Sequence, residues 1–292
     1  MQALQLAKAI PSTWCPGCGD FGVLAALKKA AAEIKVPVHE LVLVGGIGCS
    51  GGIHNFLEIN GLHALHGRLL PQAVGVKLAN PGLTVVAAGG DGDGYAIGMG
   101  HFMHAFKKNA SILYIVMNNE TYGLTKGQAS PTSQIGYEGN VEHPFNSILT
   151  ALSIPTPAFI ARTFSGDPRM MTQILVEALQ FNRAGRGYAF VEDLSPCVTY
   201  NDTFKEWREK VVDVSKLPGY DPTDRKVMFR LCLETQESGK IPIGVMHRPP
   251  AADGAAVSLE KKLLPDAVGP ARASLSLEEN RETYSKLLQA LG

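Results

Sequence analysis

Short apolar runs alternate with longer amphipathic stretches over the first two thirds of the chain. The runs predict buried strands over residues 41–44, 83–88, 111–117, 158–162 and 188–191. Helices are predicted between them, over residues 20–34, 69–79, 95–107 and 168–182, and Asp20 is expected to be the N-cap of the first. Continuous apolar strands that alternate with helices are typical of a parallel sheet with helices on both faces. We therefore expect an α/β fold with a doubly wound, mostly parallel sheet.

Beyond residue 200 the pattern changes, because prolines and polar residues interrupt it. The predicted parts of this region are a helix over residues 222–236, a linker over residues 248–254 and a final helix over residues 276–290. Pro222 is expected in the first turn of its helix. The sequence thus predicts an α/β domain over residues 1–200 and a C-terminal extension over residues 201–292, whose tail we expect to contact a partner.

The composition narrows the class of protein. The 292 residues include 27 Lys and Arg against 27 Asp and Glu, and 45% are hydrophobic. This excludes a disordered chain, and the lack of excess positive charge argues against binding to nucleic acid. No apolar run approaches the roughly 20 residues that span a bilayer, and residues 1–11 lack the pattern of a signal peptide, so we expect a cytoplasmic protein. The low charged fraction, 18%, fits both a tightly packed core and a protein whose surface is largely covered by partners.

Four unusual residues each follow a predicted strand, namely Cys49, Asp91, Asn119 and Cys197. In an open α/β sheet, ligands bind beyond the carboxyl ends of the strands. We therefore expect these four residues to lie at one edge of the sheet and to mark the functional site.

The segment Gly90-Asp91-Gly92-Asp93-Gly94 opens a predicted helix after a buried strand. Its glycines let the backbone approach a phosphate, and the helix N-terminus supplies free N–H groups with a partial positive charge. Two carboxylates would repel a bare phosphate, whereas Mg²⁺ can bridge carboxylate and phosphate oxygens. Asn119, one helix and one strand later, can add its amide oxygen. The alternative is an ordinary Gly/Asp turn with an Asn cap.

The chain has five cysteines, Cys15, Cys18, Cys49, Cys197 and Cys232. An odd number without a signal peptide argues against a disulfide framework and favours metal or redox chemistry. Alone, Cys15 and Cys18 suit a redox pair or half of a zinc site. Cys49 and Cys197 follow predicted strands at the expected ligand edge, and four thiolates would suit either a [4Fe–4S] cluster or zinc. Cys232 lies on a predicted helix and is expected to be a buried core residue.

The glycine–aspartate segment, followed by Asn118-Asn119, resembles the fingerprint of enzymes that use thiamine diphosphate (ThDP). Three longer motifs are residues 14–19 (WCPGCG), 46–50 (GIGCS) and 117–128 (MNNETYGLTKGQ). Together they resemble the β subunit of the 2-oxoacid:ferredoxin oxidoreductases, over most of residues 12–245.

Two further segments, residues 220–225 and 242–245, indicate the 2-oxoglutarate type of this family. The resemblance implies a ThDP diphosphate-binding domain that holds ThDP, Mg²⁺ and a [4Fe–4S] cluster, with CoA as the co-substrate. It also decides between iron and zinc for the four cysteines.

The resemblance implies roles for individual residues. The Mg²⁺ ligands would be the side chains of Asp91 and Asn119 and the carbonyl of Thr121. The residues that contact ThDP would be Ile47, Gly48, Cys49, Ser50, Gly90, Gly92, Asp93 and Leu124, the last near the thiazolium ring. The cluster ligands would be Cys15, Cys18, Cys49 and Cys197.

Two further residues are candidates for catalysis. The family pattern suggests that His66 lies near the reacting carbons of the coenzyme adduct, where the alternative is a structural histidine. Lys126 is a candidate to bind the carboxylate of an anionic 2-oxoacid, because that substrate needs a cation. The alternative for Lys126 is an exposed, solvated lysine.

The implied activity is the reversible oxidative decarboxylation of 2-oxoglutarate to succinyl-CoA, with electrons passing through the cluster to ferredoxin. The implied partner is an α subunit that completes the ThDP site, in an (αβ)₂ complex. The alternatives are a pyruvate:ferredoxin oxidoreductase, a non-redox ThDP decarboxylase or synthase, and an electron-carrier or scaffold module that has lost ThDP. Iron and labile sulfide would separate the non-redox enzyme from the redox enzymes.

Overall fold

The protein is described here by a computed structural model over residues 11–250 and 258–264. The strands are β1 (Leu41–Gly45), β2 (Asn60–His63), β3 (Thr84–Gly90), β4 (Ile112–Asn118), β5 (Phe159–Phe164), β6 (Ala189–Leu194), β7 (Val211–Asp213) and β8 (Ile241–His247). Within the described residues they form one sheet in the order β2-β1-β3-β4-β6-β5-β8-β7. The first six strands of this order, from β2 at the edge to β5, all run parallel. Strand β8 is antiparallel to β5, and β7 is parallel to β8.

Helices cover both faces of the sheet. They are α1 (Asp20–Glu33), α2 (Leu69–Ala79), α3 (Met99–Lys108), α4 (Ser147–Ser153), α5 (Pro168–Arg183), α6 (Phe204–Lys210), α7 (Arg225–Glu237) and α8 (Leu259–Leu263). Short 3₁₀ turns occur at Val38–Glu40, Ser50–Phe56, Tyr137–Gly139 and Val214–Lys216, and a π turn at Asp93–Ile97. One core cluster joins α1 and α5 to the sheet, and the other joins α2, α3, α4 and α7 to the opposite face. The predicted doubly wound, mostly parallel α/β fold is confirmed.

Helix α5 shows how local sequence sets the elements. Asp167 accepts a hydrogen bond from the backbone N–H of Met170, and Pro168 follows as the first helical residue. This is the arrangement that satisfies a free helix N-terminus. Residues Ile174 and Leu175 lie on its buried face, so the helix covers strands β4, β5 and β6.

Three predictions at helix starts are wrong in detail. Gly19 occupies the N-cap of α1, and the buried Asp20 instead accepts a hydrogen bond from Ser195. Helix α7 begins at Arg225 because Asp224 caps it, so Pro222 precedes the helix. The helix predicted over residues 95–107 begins only at Met99, as α3, because residues Asp93–Ile97 form the π turn instead.

The sequence pattern did not predict strands β2, β7 and β8 or helices α4 and α6. Strands β7 and β8 belong to the same sheet as the preceding strands, and the domain boundary at residue 200 stays a prediction. The final helix at 276–290, most of the linker and residues 1–10 lie outside the described residues. In the part of the chain that the structure describes, no helix is both long and apolar enough to cross a membrane.

Candidate functional site

A cavity of about 110 Å³ opens at the carboxyl ends of β1, β3 and β4. The strand ends adjoin because Gly45 pairs with Ala88, and Gly90 pairs with Met117. The cavity is lined by Ile47, Gly48, Cys49, Ser50, His66, Gly90, Asp91, Gly92, Asp93, Asn119, Thr121, Tyr122, Gly123, Leu124 and Thr125. Every residue predicted to contact ThDP or Mg²⁺ is therefore brought to one cavity.

The buried Asp93 holds two loops of this cavity together. Its Oδ1 accepts hydrogen bonds from the backbone N–H groups of Ile47 (3.1 Å) and Gly67 (2.8 Å). The same oxygen lies 2.9 Å from Nδ1 of His66. Asp93 thus fixes the position of both loops and of the imidazole ring, besides lining the cavity as predicted.

Gly92 and Gly46 are required by close packing within the protein. A Cβ at Gly92 would lie 2.1 Å from the ring of Tyr122. A Cβ at Gly46 would lie 2.4 Å from Oδ2 of Asp93. Gly92, which was predicted to admit a phosphate, thus admits the Tyr122 ring as well as lining the cavity.

Asp91 is a buried carboxyl group with the chemistry of a cation ligand. Its Oδ2 accepts hydrogen bonds from Ser130 Oγ (2.5 Å) and Thr132 Oγ1 (2.6 Å). Burial raises its pKa to about 6, and none of the ion pairs among the described residues involves Asp91. A divalent cation would supply the missing positive charge, so the residues present fit Mg²⁺.

Asn119 and Thr121 follow β4 in a tight turn. The backbone N–H of Thr121 donates to Asn119 Oδ1 (3.1 Å), and Glu120 between them has a positive φ of 55°. The Thr121 hydroxyl donates to the Gln128 carbonyl and lies 2.8 Å from the Tyr137 hydroxyl. Protein groups therefore already engage the Thr121 hydroxyl.

The two catalytic candidates lie in different environments. His66 lines the cavity, and its side chain is 43% exposed. Lys126 does not line the cavity. It lies exposed in the hairpin Tyr122–Gln128 with a positive φ of 80°.

Three segments bring the cysteines towards the same edge of the sheet. The N–H of Cys18 donates to the Cys15 carbonyl (3.0 Å), which closes the turn around Gly17. Trp14 Nε1 donates to the Cys49 carbonyl (2.7 Å). Cys197 lies close to the hairpin that follows Asn119, since a Cβ at Gly123 would meet its Sγ at 3.4 Å.

The cysteine thiols act on one another electrostatically. Burial, together with smaller effects from Asp20, Cys197 and Cys15, raises the pKa of Cys49 to about 11. Burial raises the pKa of Cys18 still more, with smaller effects from Asp20 and from two of the other cysteines. Iron would stabilise the thiolates that burial disfavours, so the donor set fits a metal cluster. In the described chain, however, no three His, Cys, Asp or Glu side chains stand close enough to hold a metal ion.

Cys232 is fully buried on the inner face of α7, where its Sγ lies 3.4 Å from the sulfur of Met246 of β8. The prediction that it is a core residue is confirmed.

A larger cavity of about 670 Å³ lies elsewhere on the same side of the molecule and is lined by Glu120, Arg162 and Lys240 among others. None of the residues predicted to contact the coenzyme or the cluster lines it. Size alone therefore does not locate the predicted chemistry.

Comparison with known proteins identifies the family. Residues 46–192 match the thiamine pyrophosphate enzyme, C-terminal TPP binding domain, and thiamine pyrophosphate is ThDP. Residues 197–254 match the model for the C-terminal part of the pyruvate ferredoxin oxidoreductase beta subunit. The 2-oxoacid:ferredoxin oxidoreductase subunit beta of Saccharolobus solfataricus is 40% identical over 252 residues, 80% of this chain and 81% of that protein. The chain belongs to the β subunits of the 2-oxoacid:ferredoxin oxidoreductases.

Two other relatives of this β subunit are named for 2-oxoglutarate. The 2-oxoglutarate synthase subunit KorB of Archaeoglobus fulgidus is 36% identical over 241 residues, 76% of this chain and 88% of that protein. A solved 2-oxoglutarate:ferredoxin oxidoreductase from Magnetococcus marinus, with 2-oxoglutarate, coenzyme A and succinyl-CoA bound, superimposes with a TM-score of 0.81. The two chains share 34% identity over 91% of the β subunit and 89% of the other chain.

Sequence reasoning missed several polar residues that hold the site of this β subunit together. They are Trp14, Asp20, Ser130, Thr132 and Glu192. Trp14 and Asp20 flank the Cys15–Cys18 motif and were visible as neighbours of candidate ligands. The other three carry no local signal, because their partners are distant along the chain.

Proposed function

We propose that this chain is the β subunit of a CoA-dependent 2-oxoglutarate:ferredoxin oxidoreductase. The complex would convert 2-oxoglutarate and CoA to succinyl-CoA and CO₂, reversibly, and pass two electrons to ferredoxin. The observation that carries the proposal is the cavity of about 110 Å³ at the carboxyl edge of the sheet, which collects the predicted ThDP and Mg²⁺ residues together with Cys49 and lies close to Cys197. The names of the Archaeoglobus and Magnetococcus relatives support 2-oxoglutarate as the substrate.

In this proposal the side chains of Asp91 and Asn119 and the carbonyl of Thr121 hold Mg²⁺. The diphosphate lies along Gly90, Gly92 and Asp93, Leu124 adjoins the thiazolium, and the loop Ile47, Gly48, Cys49 and Ser50 covers the coenzyme. When bound, ThDP supplies the carbon nucleophile for the 2-oxo group and an electron sink after CO₂ is lost.

His66 is proposed as the catalytic histidine. The Asp93 carboxylate accepts only, so the hydrogen bond between them places the imidazole proton on Nδ1. Nε2 of the neutral ring is then left with a lone pair to exchange protons at the cavity. Lys126 is proposed to attract or bind a substrate carboxylate from the exposed hairpin beside the cavity.

Cys15, Cys18, Cys49 and Cys197 are proposed as ligands of a [4Fe–4S] cluster that conducts the electrons to ferredoxin. The mutual electrostatic effect of their thiols supports this set. We assign coenzyme and cluster to residues 1–200, and one partner contact to the tail of the C-terminal extension over residues 201–292. The enzyme would be a cytoplasmic (αβ)₂ complex, and its ThDP site would be completed by the α subunit.

The first test is viologen reduction by the anaerobically purified native complex, given CoA and either 2-oxoglutarate or pyruvate. CoA-dependent reduction that is faster with 2-oxoglutarate is the expected result. Faster reduction with pyruvate would move the assignment to a pyruvate:ferredoxin oxidoreductase. No reduction with either acid, in a preparation that contains the α subunit, would contradict the redox function and favour a non-redox ThDP enzyme.

Iron and labile sulfide per chain test the cluster separately from turnover. We expect Cys197→Ser to lower both strongly and the matched Cys232→Ser to leave both unchanged, because Cys232 is buried on α7 in a different core cluster from that of Cys18 and Cys49. Equal iron and sulfide contents in the two variants would remove Cys197 from the ligand set.

A further inference from the structure

The segment that follows the exposed hairpin supplies two buried hydroxyl groups to Asp91. Ser130 is 6% exposed and Thr132 is 3% exposed. Ser130 Oγ donates to Asp91 Oδ2 at 2.5 Å, and Thr132 Oγ1 lies 2.6 Å from the same oxygen. In the described chain no side chain donates to Oδ1 of Asp91. The two hydroxyls therefore engage one oxygen of a carboxylate that lines the cavity.

Thr132 also joins Asp91 to the end of strand β4. Its Oγ1 lies 2.8 Å from Asn118 Oδ1. The single proton of the hydroxyl serves either the carboxylate or this amide oxygen. Thr132 thus stands between two acceptors and links their positions.

The Asn118 amide is itself fixed from both sides. Its Oδ1 accepts from the backbone N–H of Glu120 (3.1 Å), and its Nδ2 donates to Glu192 Oε1 (3.2 Å). Glu192 is fully buried and forms an ion pair with Arg162 Nε at 2.6 Å. A continuous network therefore runs from the ion pair between Arg162 of β5 and Glu192 of β6 to Asp91 at the end of β3.

We propose that Ser130 and Thr132 are positioning residues that orient the Asp91 carboxylate for a divalent cation. The inference rests on the proposed function, since the cation is that of the coenzyme site. A carboxylate free to rotate would lose part of its affinity for metal, because ordering it would then cost free energy on binding. Hydrogen-bonding partners of metal ligands typically contribute 10- to 100-fold in metal affinity.

Manganese binding tests this role without turnover. Mn²⁺ is titrated into the ThDP-loaded, Mg²⁺-free complex and followed by electron paramagnetic resonance. We expect Thr132→Val, which keeps the shape and removes the hydroxyl, to raise the Mn²⁺ dissociation constant roughly 10- to 100-fold. Ser130→Ala should raise it in the same direction, and Thr132→Ser, which retains the hydroxyl, should stay close to wild type.

Thr235→Val is the matched control. Thr235 is also a largely buried threonine, but its hydroxyl donates to the Leu231 carbonyl within α7, so its Mn²⁺ affinity should be unchanged. If Thr132→Val does not fold, the Mn²⁺ affinity of Ser130→Ala, which lacks a hydroxyl, is compared with that of Thr132→Ser, which keeps one. Wild-type affinity in both Ser130→Ala and Thr132→Val would overturn the positioning role.

Failure of the proposed function has a different signature. A wild-type complex that binds no Mn²⁺ with ThDP present, and that Asp91→Asn leaves unaltered, would overturn the coenzyme site and the positioning role together. Tight wild-type binding that Asp91→Asn abolishes, but that the two hydroxyl variants leave intact, would overturn only the positioning role.

Discussion

Asp91, which lines the cavity, and the nearby Asp20 and Asp193 are buried carboxyl groups. Burial raises the pKa of Asp20 and Asp91 to about 6 and that of Asp193 to about 7. Asp193 accepts hydrogen bonds from Thr163 (2.7 Å) and Ser165 (2.5 Å), and these lower its pKa only in part. Each of these groups is therefore easier to bury protonated than ionised.

Asp193 gives a pH dependence of stability with a definite sign. Its pKa is 3.8 in an unfolded chain and about 7 here, so the folded state binds the proton more tightly. Stability therefore falls as the pH rises through this window. Between about pH 5.5 and about pH 8 the loss from this one group is about 2 kcal/mol.

Asp193→Asn measures that contribution, because the amide stays neutral at both pH values. The unfolding free energy of the wild-type complex should fall relative to the variant as the pH is raised. The hydrogen bond that the amide loses to Ser165 is the same at both pH values and cancels. A difference that does not change with pH would contradict the raised pKa.

At the scale of elements, the loops after β1 and β6 and the turn before α1 place the cysteines. Trp14 connects the turn before α1 to the segment after β1, since its ring packs edge-on against Phe21 of α1 and Phe56. Its indole N–H donates to the Cys49 carbonyl at 2.7 Å. The turn with Cys15 and Cys18 is thereby tied to the loop of Cys49.

Trp14→Phe should keep most of the ring packing and lose this hydrogen bond. We expect the loss to cost about 1 kcal/mol and to lower the iron content per chain after gel filtration. Trp207→Phe is the control, because Trp207 is also buried but its ring packs on Phe164 of β5. Equal iron contents in the two variants would show that Trp14 has only a packing role.

The sequence predicted the central strands and their helices because each carries a continuous apolar run or a helical period. Strand β2 lacks that signal, since its four residues Asn60–His63 are all exposed at the sheet edge. Strand β8 contains Pro242 and Gly244, which argue against a strand from sequence alone. Its place is set by antiparallel pairing with β5, a contact between distant segments.

The same division holds within the site. Asp91, Asn119 and Cys49 stand in recognisable motifs, so their positions at strand ends followed from the sequence. Ser130 and Glu192 have no such motif, and their roles depend on hydrogen bonds that span 39 and 74 residues. Local periodicity contains no information on such pairs.

At the scale of the whole molecule, the cavity opens within an apolar surface. Leu65 is 73% exposed beside His66, Leu124 is 63% exposed on the cavity lining, and Ile97 is 55% exposed against Gly67. Adjoining exposed apolar side chains of this size mark an interaction surface. We expect this surface to contact the α subunit.

Leu65→Asp should weaken association with the α subunit at least about tenfold, or about 1.4 kcal/mol, because a charge would be buried at the interface. The dissociation constant is measured by analytical ultracentrifugation of the complex. Leu263→Asp is the control, since Leu263 is 59% exposed on α8, whose backbone bonds to Asn109 just before β4, at the opposite end of the sheet. Equal weakening by both variants would contradict the assignment of this surface.

The loop Gly46–Ser50 serves both proposed centres, since Cys49 stands between two residues that line the coenzyme cavity. Its shape is constrained by Asp93 on one side and Trp14 on the other. Ordering this loop for one cofactor removes part of the entropy cost of binding the other, which is reciprocal linkage. We expect loading of iron and of coenzyme to be cooperative, so that oxidative loss of the cluster also loosens the hold on ThDP.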